Sequence, residues 1–171
     1  CSKNNLTKEE KEWTNAYSKG QILEFISNKE NIDSFLVIEI RDFYTNENCN
    51  CIEVSDEKNQ TSSITLKPLN CRDTFYCEVS ISITKENNKK EAFPTMNVFN
   101  LFSNRLTVDS KTTSKTITLN TDKKEYDALY CENLNIRKFG NNAIKSFYWN
   151  KEQGLIKYET SENEIFELVK N

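Results

Sequence analysis

The chain has 171 residues, of which 36% are hydrophobic and 29% charged, with 23 Lys and Arg against 26 Asp and Glu and a formal charge of −3. That length suits one ordinary domain with a real core, and no apolar run reaches the roughly 18 residues that a membrane-spanning helix needs. Acidic and basic residues are intermingled, and Tyr44, Phe75, Phe93 and Trp149 have no basic run around them, so the clustered basic and aromatic footprint of a nucleic-acid binder is missing.

The sequence opens on Cys1, followed by the polar Ser2, Lys3, Asn4 and Asn5. This resembles a mature bacterial lipoprotein, in which a signal segment is removed immediately before a cysteine that is then acylated. The resemblance implies lipidation at Cys1, the membrane as a partner through two or three acyl chains, and a place in the cell envelope. At about 0.8 kcal/mol per buried methylene, two chains suffice for stable anchoring. Ser2 implies transfer to the outer membrane. The lack of acids before Glu9 implies the periplasmic face. Residues 1–12 then read as a lipidated tether and residues 13–171 as a single β-rich domain.

Within that tether, Thr7-Lys8-Glu9-Glu10 has the spacing of a capping box and predicts a short N-terminal helix reaching Trp13. Ser18-Lys19-Gly20 marks a turn. Gln21 to Ile26 and Phe35 to Ile40 read as two strands of a hairpin. Cys51 to Val54 predicts a short strand, Asp56 to Gln60 a turn, and Ser63 to Leu66 a further strand. From Tyr76 to Ile83 the period is strictly two, with Val79, Ile81 and Ile83 on one face and Glu78, Ser80 and Ser82 on the other, as in a sheet with one wet face. Lys111 to Leu119 repeats that pattern. With 3 glycines and 2 prolines in the whole chain, Asn and Asp are expected to supply most tight turns.

Two windows are ambiguous by periodicity. In Phe93 to Phe102 and on to Leu106, the apolar residues Val98, Leu101, Phe102 and Leu106 sit at helical spacing, yet a strand also fits. Tyr126, Leu129, Tyr130 and Leu134 have helical spacing behind an Asp122-x-x-Glu125 cap.

The tail Ser146 to Val169 reads as a three-strand meander: Phe147-Tyr148-Trp149, a turn through Gly154, Leu155 to Tyr158, a second turn at Ser161 to Asn163, and Ile165 to Leu168. An aromatic strand, a glycine turn and "Gly-Leu-Ile-x-Tyr" before a terminal strand resemble the tail of small, uncharacterised β-rich envelope lipoproteins. Trp13, Tyr17, Gly20 and Phe25 are similar to the opening strand of that group, and Thr116 to Tyr130 to a strand–turn–Tyr–Asp–strand unit. On that likeness Tyr126 to Cys131 is assigned to a strand. The fold class expected is mainly β, an antiparallel sheet forming a sandwich or an open, barrel-like half-barrel.

The 6 cysteines are Cys1, Cys49, Cys51, Cys71, Cys77 and Cys131. Cys49, Cys51, Cys71 and Cys77 have the wrong gaps for a zinc knuckle, and in the envelope they are expected to form disulfides, with connectivity open. Cys131 is the natural thiol left over, a small buried hydrophobe.

The absence of histidine removes Ser-His-Asp and Cys-His chemistry and every His-containing zinc site. Catalysis would fall to thiols or to the carboxylates Glu159, Glu162, Glu164 and Glu167, which read instead as a solvated strand face. Asn120, Asp122, Glu125 and Asp127 offer oxygens for calcium but lack EF-hand spacing. No enzyme, metal or cofactor is expected. Phe93, Met96, Phe99 and Phe102 are candidates to line an apolar ligand site, although completion of the core is the favoured explanation, as for most apolar windows. The function expected is an anchored, non-enzymatic binding or scaffolding protein. Its alternative is a carrier or chaperone for a hydrophobic small molecule or peptide, distinguished by an open apolar cavity in place of a filled core.

Overall fold

The structure, a computed structural model, describes residues 2–45, 57–70, 77–103, 109–135 and 143–170. In chain order these form β1 (Ser2–Asn4), α1 (Lys8–Lys11) with a 3-10 turn (Glu12–Thr14), β2 (Ile22–Ser27), β3 (Ile32–Tyr44), β4 (Glu57–Pro68), β5 (Val79–Thr84) and β6 (Pro94–Val98). They continue with β7 (Leu101–Ser103), β8 (Ser110–Thr118), β9 (Glu125–Asn133), β10 (Ile144–Asn150), β11 (Gly154–Thr160) and β12 (Ile165–Val169).

The strands make one sheet in the order β7-β6-β5-β4-β3-β2-β12-β11-β10-β9-β8, with β1 added to β4. All neighbours along that path are antiparallel, whereas β1 lies parallel to β4 with Ser2 opposite Glu57. Apart from β1, the pairing departs from sequence order at one place, where β12 joins β2 through Phe25 and Leu168. The C-terminal meander is thereby stitched to the N-terminal hairpin. The sheet curls into a nearly closed barrel, whose two end strands approach where the Ser110 hydroxyl donates to the Phe102 carbonyl at 2.6 Å. Of the two expected forms, the barrel is the one adopted.

Alternation decides the interior. Val79, Ile81 and Ile83 of β5 are fully buried, and Ser80 and Ser82 between them face outward. The barrel centre is filled by Trp149, Tyr158, Phe25, Phe35 and Phe147, all buried. Phe25 and Phe35 meet edge-on at 5.2 Å, and Tyr158 stacks on Phe166 at 4.7 Å and 7°. Each such ring pair adds about 0.5–1.5 kcal/mol beyond its area burial.

Among the described residues the ambiguous windows resolve as strands, and Leu106 lies outside them. Residues 94–103 form the β6–β7 hairpin, in which Phe99 and Asn100 make a two-residue turn with φ of 48° and 70°. Positive φ at both central residues is what a tight hairpin with matched twist demands. Residues 125–133 form β9, as the resemblance implied. The expected turn from Asp56 to Gln60 is corrected: Asp56 lies outside the described residues, and residues 57–60 belong to β4, because β1 pairs with residues 57–59 and β3 with Gln60. Cys51 to Val54 lies outside the described residues. Asn and Asp do shape turns through their side chains, as where Asn150 Oδ1 accepts from the Glu152 and Gln153 amides and Asp122 Oδ1 from the Lys124 amide. The positive-φ positions are not confined to Asn, Asp and Gly, however, since Glu30 and Lys123 also take them.

The capping box is present as predicted. The Thr7 hydroxyl accepts from the Glu10 amide at 3.2 Å and the Glu10 carboxylate accepts from the Thr7 amide at 2.8 Å. The segment expected to be a solvated tether is instead built into the barrel. Asn4, Leu6 and Glu10 are buried, and β1 carries sheet pairing from residue 2 onward.

A candidate binding cleft in the barrel wall

β7 has three residues and pairs with β6 only over Met96–Val98. Beyond it, the first residues of β6 and the middle of β8 face each other with no strand between them among the described residues. A cleft of about 1110 Å³ occupies this place. Its walls include Ser82 and Thr95, an outward-facing pair across β5 and β6, together with the buried Met96 and Ser103. On the far side stand Thr112, Thr113 and Ser114 of β8, with Leu129 of β9 behind them. Register assigns Thr112 to the inner face, opposite the buried Cys131, and Thr113 to the outer face, opposite Tyr130. Residues of both faces therefore line one cleft, which makes it an opening through the wall.

The lip of this opening is the β5–β6 connection, including Glu86, Lys90, Glu91 and Phe93. The N-terminal segment holds it. Glu10 Oε1 accepts from Lys85 Nζ at 2.6 Å and from the Ala92 amide at 2.7 Å, and Lys85 Nζ also donates to the Lys90 carbonyl at 2.6 Å. Asn4 Nδ2 donates to the Glu86 carbonyl at 3.1 Å, the Asn5 amide donates to Asn88 Oδ1 at 3.0 Å, and Asn88 Nδ2 donates to the Lys3 carbonyl at 2.9 Å. Burial pushes the Glu10 carboxyl up, but the hydrogen bonds from Lys85, Ala92 and Thr7 outweigh it and hold the group below the usual carboxylate value. One carboxylate thus ties the helix start, the lip and a buried ammonium together.

The four aromatic and sulfur candidates separate. Phe93 stands at the cleft, 49% exposed, and Met96 lies buried in its floor. Phe99 turns to the aromatic cluster, 5.7 Å from Phe35 and 5.8 Å from Tyr158. Phe102 points outward, 44% exposed. Two of the four meet at one site. The hydroxyl wall and the short β7 that opens the seam were missed by sequence reasoning, because Ser and Thr on a strand read as an ordinary wet face.

Most of the other candidates have structural partners. Cys131 is the free cysteine among the described residues, and burial pushes its thiol up to about 11. Cys77 is disulfide-bonded; Cys1, Cys49, Cys51 and Cys71 lie outside the described residues. Among the tail carboxylates, Glu159 accepts from Lys145 at 2.7 Å and Glu164 from Asn31 at 2.7 Å. The buried Glu167 accepts from Lys157 at 2.9 Å and from the Asn120 amide at 2.6 Å. Asp122 accepts from the Tyr126 hydroxyl and Asp127 from the Thr116 hydroxyl, so these oxygens serve the β8–β9 hairpin.

No family model matches the chain, and comparison with curated proteins and with solved structures finds no match.

Proposed function

We propose that this protein is an envelope lipoprotein, acylated at Cys1 and held at the periplasmic face of the outer membrane, that binds a partner without catalysing a reaction. The observation that carries the reading is the opening in the barrel wall with its lip fastened by residues 3–10. An anchor at residue 1 and a binding site gripped by the next few residues form one mechanical unit, which suits a module that presents a site close to a membrane.

The filled aromatic interior favours this reading over a carrier of hydrophobic small molecules, which requires an open apolar cavity. A non-catalytic role is supported by the state of the candidate groups: the Cys131 thiol is pushed away from the reactive thiolate, and Glu159, Glu164 and Glu167 each have a cationic or amide partner. Thiolate fraction governs cysteine reactivity, so a buried thiol of this kind serves packing. In the oxidising envelope, Cys49, Cys51, Cys71 and Cys77 are proposed to pair as disulfides.

Intact-mass spectrometry of the native, membrane-extracted protein tests the anchor. The expected mass exceeds that of the polypeptide by two or three acyl chains on residue 1, together with losses of hydrogen for each disulfide. A protein of bare polypeptide mass that partitions into buffer overturns the reading.

A further inference from the structure

The opening lies between β6 and the last strand of the sheet order, β8. On the β6 side the edge offers little to a ligand. Pro94 has no N–H, and the Met96 amide already donates to the Ser103 hydroxyl at 3.0 Å. The β8 side is different: β8 ends the sheet order, and among the described residues no strand pairs with its outer edge along 112–118. Such an edge presents a backbone donor and acceptor at every second residue, about 6.6 Å apart. An acyl chain leaves those groups unmet, whereas a second backbone in extended form satisfies them in register.

Resting on the reading of this cleft as the binding site, we propose that it takes an extended segment of a partner protein, which adds as a strand to the free edge of β8. The lining sets the side-chain pattern. Guest residues pointing inward meet Met96 and Leu129 and are apolar; those pointing outward pass between Ser82, Thr95 and Thr113 and are polar. The guest is therefore a strand of alternating apolar and polar residues, and backbone pairing with side-chain alternation gives both affinity and register.

The test pans the intact protein against displayed random octapeptides that carry Val, Ile or Leu at alternate positions. Enriched sequences are then synthesised with and without N-methyl groups at alternate amides. The proposal expects tenfold or greater loss of binding on N-methylation, slowed amide exchange along 112–118 on binding, and tenfold loss in Ser114→Trp, which fills the opening. Glu162→Ala, at the distant β11–β12 turn, is the control and retains full binding. Melting temperature checks that Ser114→Trp folds, and the exchange readout on the unsubstituted protein does not depend on that variant. Absence of enrichment over the Ser114→Trp variant, or peptides indifferent to N-methylation, overturns the proposal. N-phenyl-1-naphthylamine supplies the lipid arm. If this probe binds and Ser114→Trp abolishes it while no peptide competes, the strand inference fails and the cleft remains the site. If Ser114→Trp alters neither peptide nor probe binding, both readings fail.

Discussion

Glu10 and Lys85 form a buried ion pair of 2.6 Å across a sequence separation of 75 residues, each side chain 5% exposed. Neither charge stands alone: the carboxylate also receives the Ala92 and Thr7 amides, and the ammonium also donates to the Lys90 carbonyl. The pair joins the first helix to the lip of the cleft. Breaking a buried pair by removing one charge costs more than replacing both, since the survivor is left buried and uncompensated. Glu10→Gln is expected to destabilise the fold by about 3 kcal/mol. The double variant Glu10→Gln/Lys85→Met should recover part of that loss. Urea denaturation of the two singles and the double, read as a double-mutant cycle, checks this.

The same pair gives a pH dependence with a definite sign. Glu10 lies below its usual value of 4.5 in the folded protein. A depressed carboxyl contributes stability that is fully present above the unfolded value and is lost as pH falls through the folded one. The melting temperature should therefore fall on acidification below about pH 4.5, and the Glu10→Gln variant should show a shallower fall. Parallel slopes for the two proteins contradict the assignment.

Gly154 begins β11 directly over Tyr17. Its φ is +74°, and a Cβ there would lie 1.9 Å from the Tyr17 hydroxyl, which itself accepts the Leu155 amide at 2.7 Å. Gly154→Ala combines a left-handed backbone with an overpacked contact, at about 2–4 kcal/mol. Tyr17→Phe removes only the acceptor of one buried amide, at about 1–3 kcal/mol. Thermal melts should rank the alanine variant as the less stable. The opposite order would mean that Tyr17 moves aside freely.

Cys131 is buried opposite Phe147, with its thiol pushed up to about 11. At pH 7.5 it should resist Ellman's reagent in the folded protein and react at once in 6 M guanidinium. Rapid labelling in the native state would mark it as an accessible nucleophile and count against the non-catalytic reading.

Much of the sheet is legible in the sequence because one face of each strand is buried and the other is wet. Val79, Ile81 and Ile83 state this openly, and the Thr7–Glu10 box marks its helix from local chemistry alone. The β6–β7 hairpin hid for a specific reason. A two-residue turn places Val98 opposite Leu101, and a spacing of three across a turn imitates a helical face. In β9, Leu129 and Tyr130 both meet neighbours, one inward beside Trp149 and the other outward on the Tyr148 ring at 4.8 Å. A strand covered on both faces loses its period of two. Of the cleft, Phe93 and Met96 were legible as an apolar lining, whereas its hydroxyl wall and fastened lip were not, since they depend on where β7 stops and on partners as distant as Glu10 and Lys85.

The N-terminal segment fastens the lip of the opening through Asn4, Asn5 and Glu10. Amide hydrogen exchange of the wild-type protein and Glu10→Gln, compared below the onset of global unfolding, tests it most directly. The expected result is that exchange at residues 85–93 and 4–10 accelerates at least tenfold more than in β10–β12, which speed up only as far as the lower global stability requires. Equal exchange at the lip in the two proteins, or acceleration spread evenly around the barrel, would contradict it.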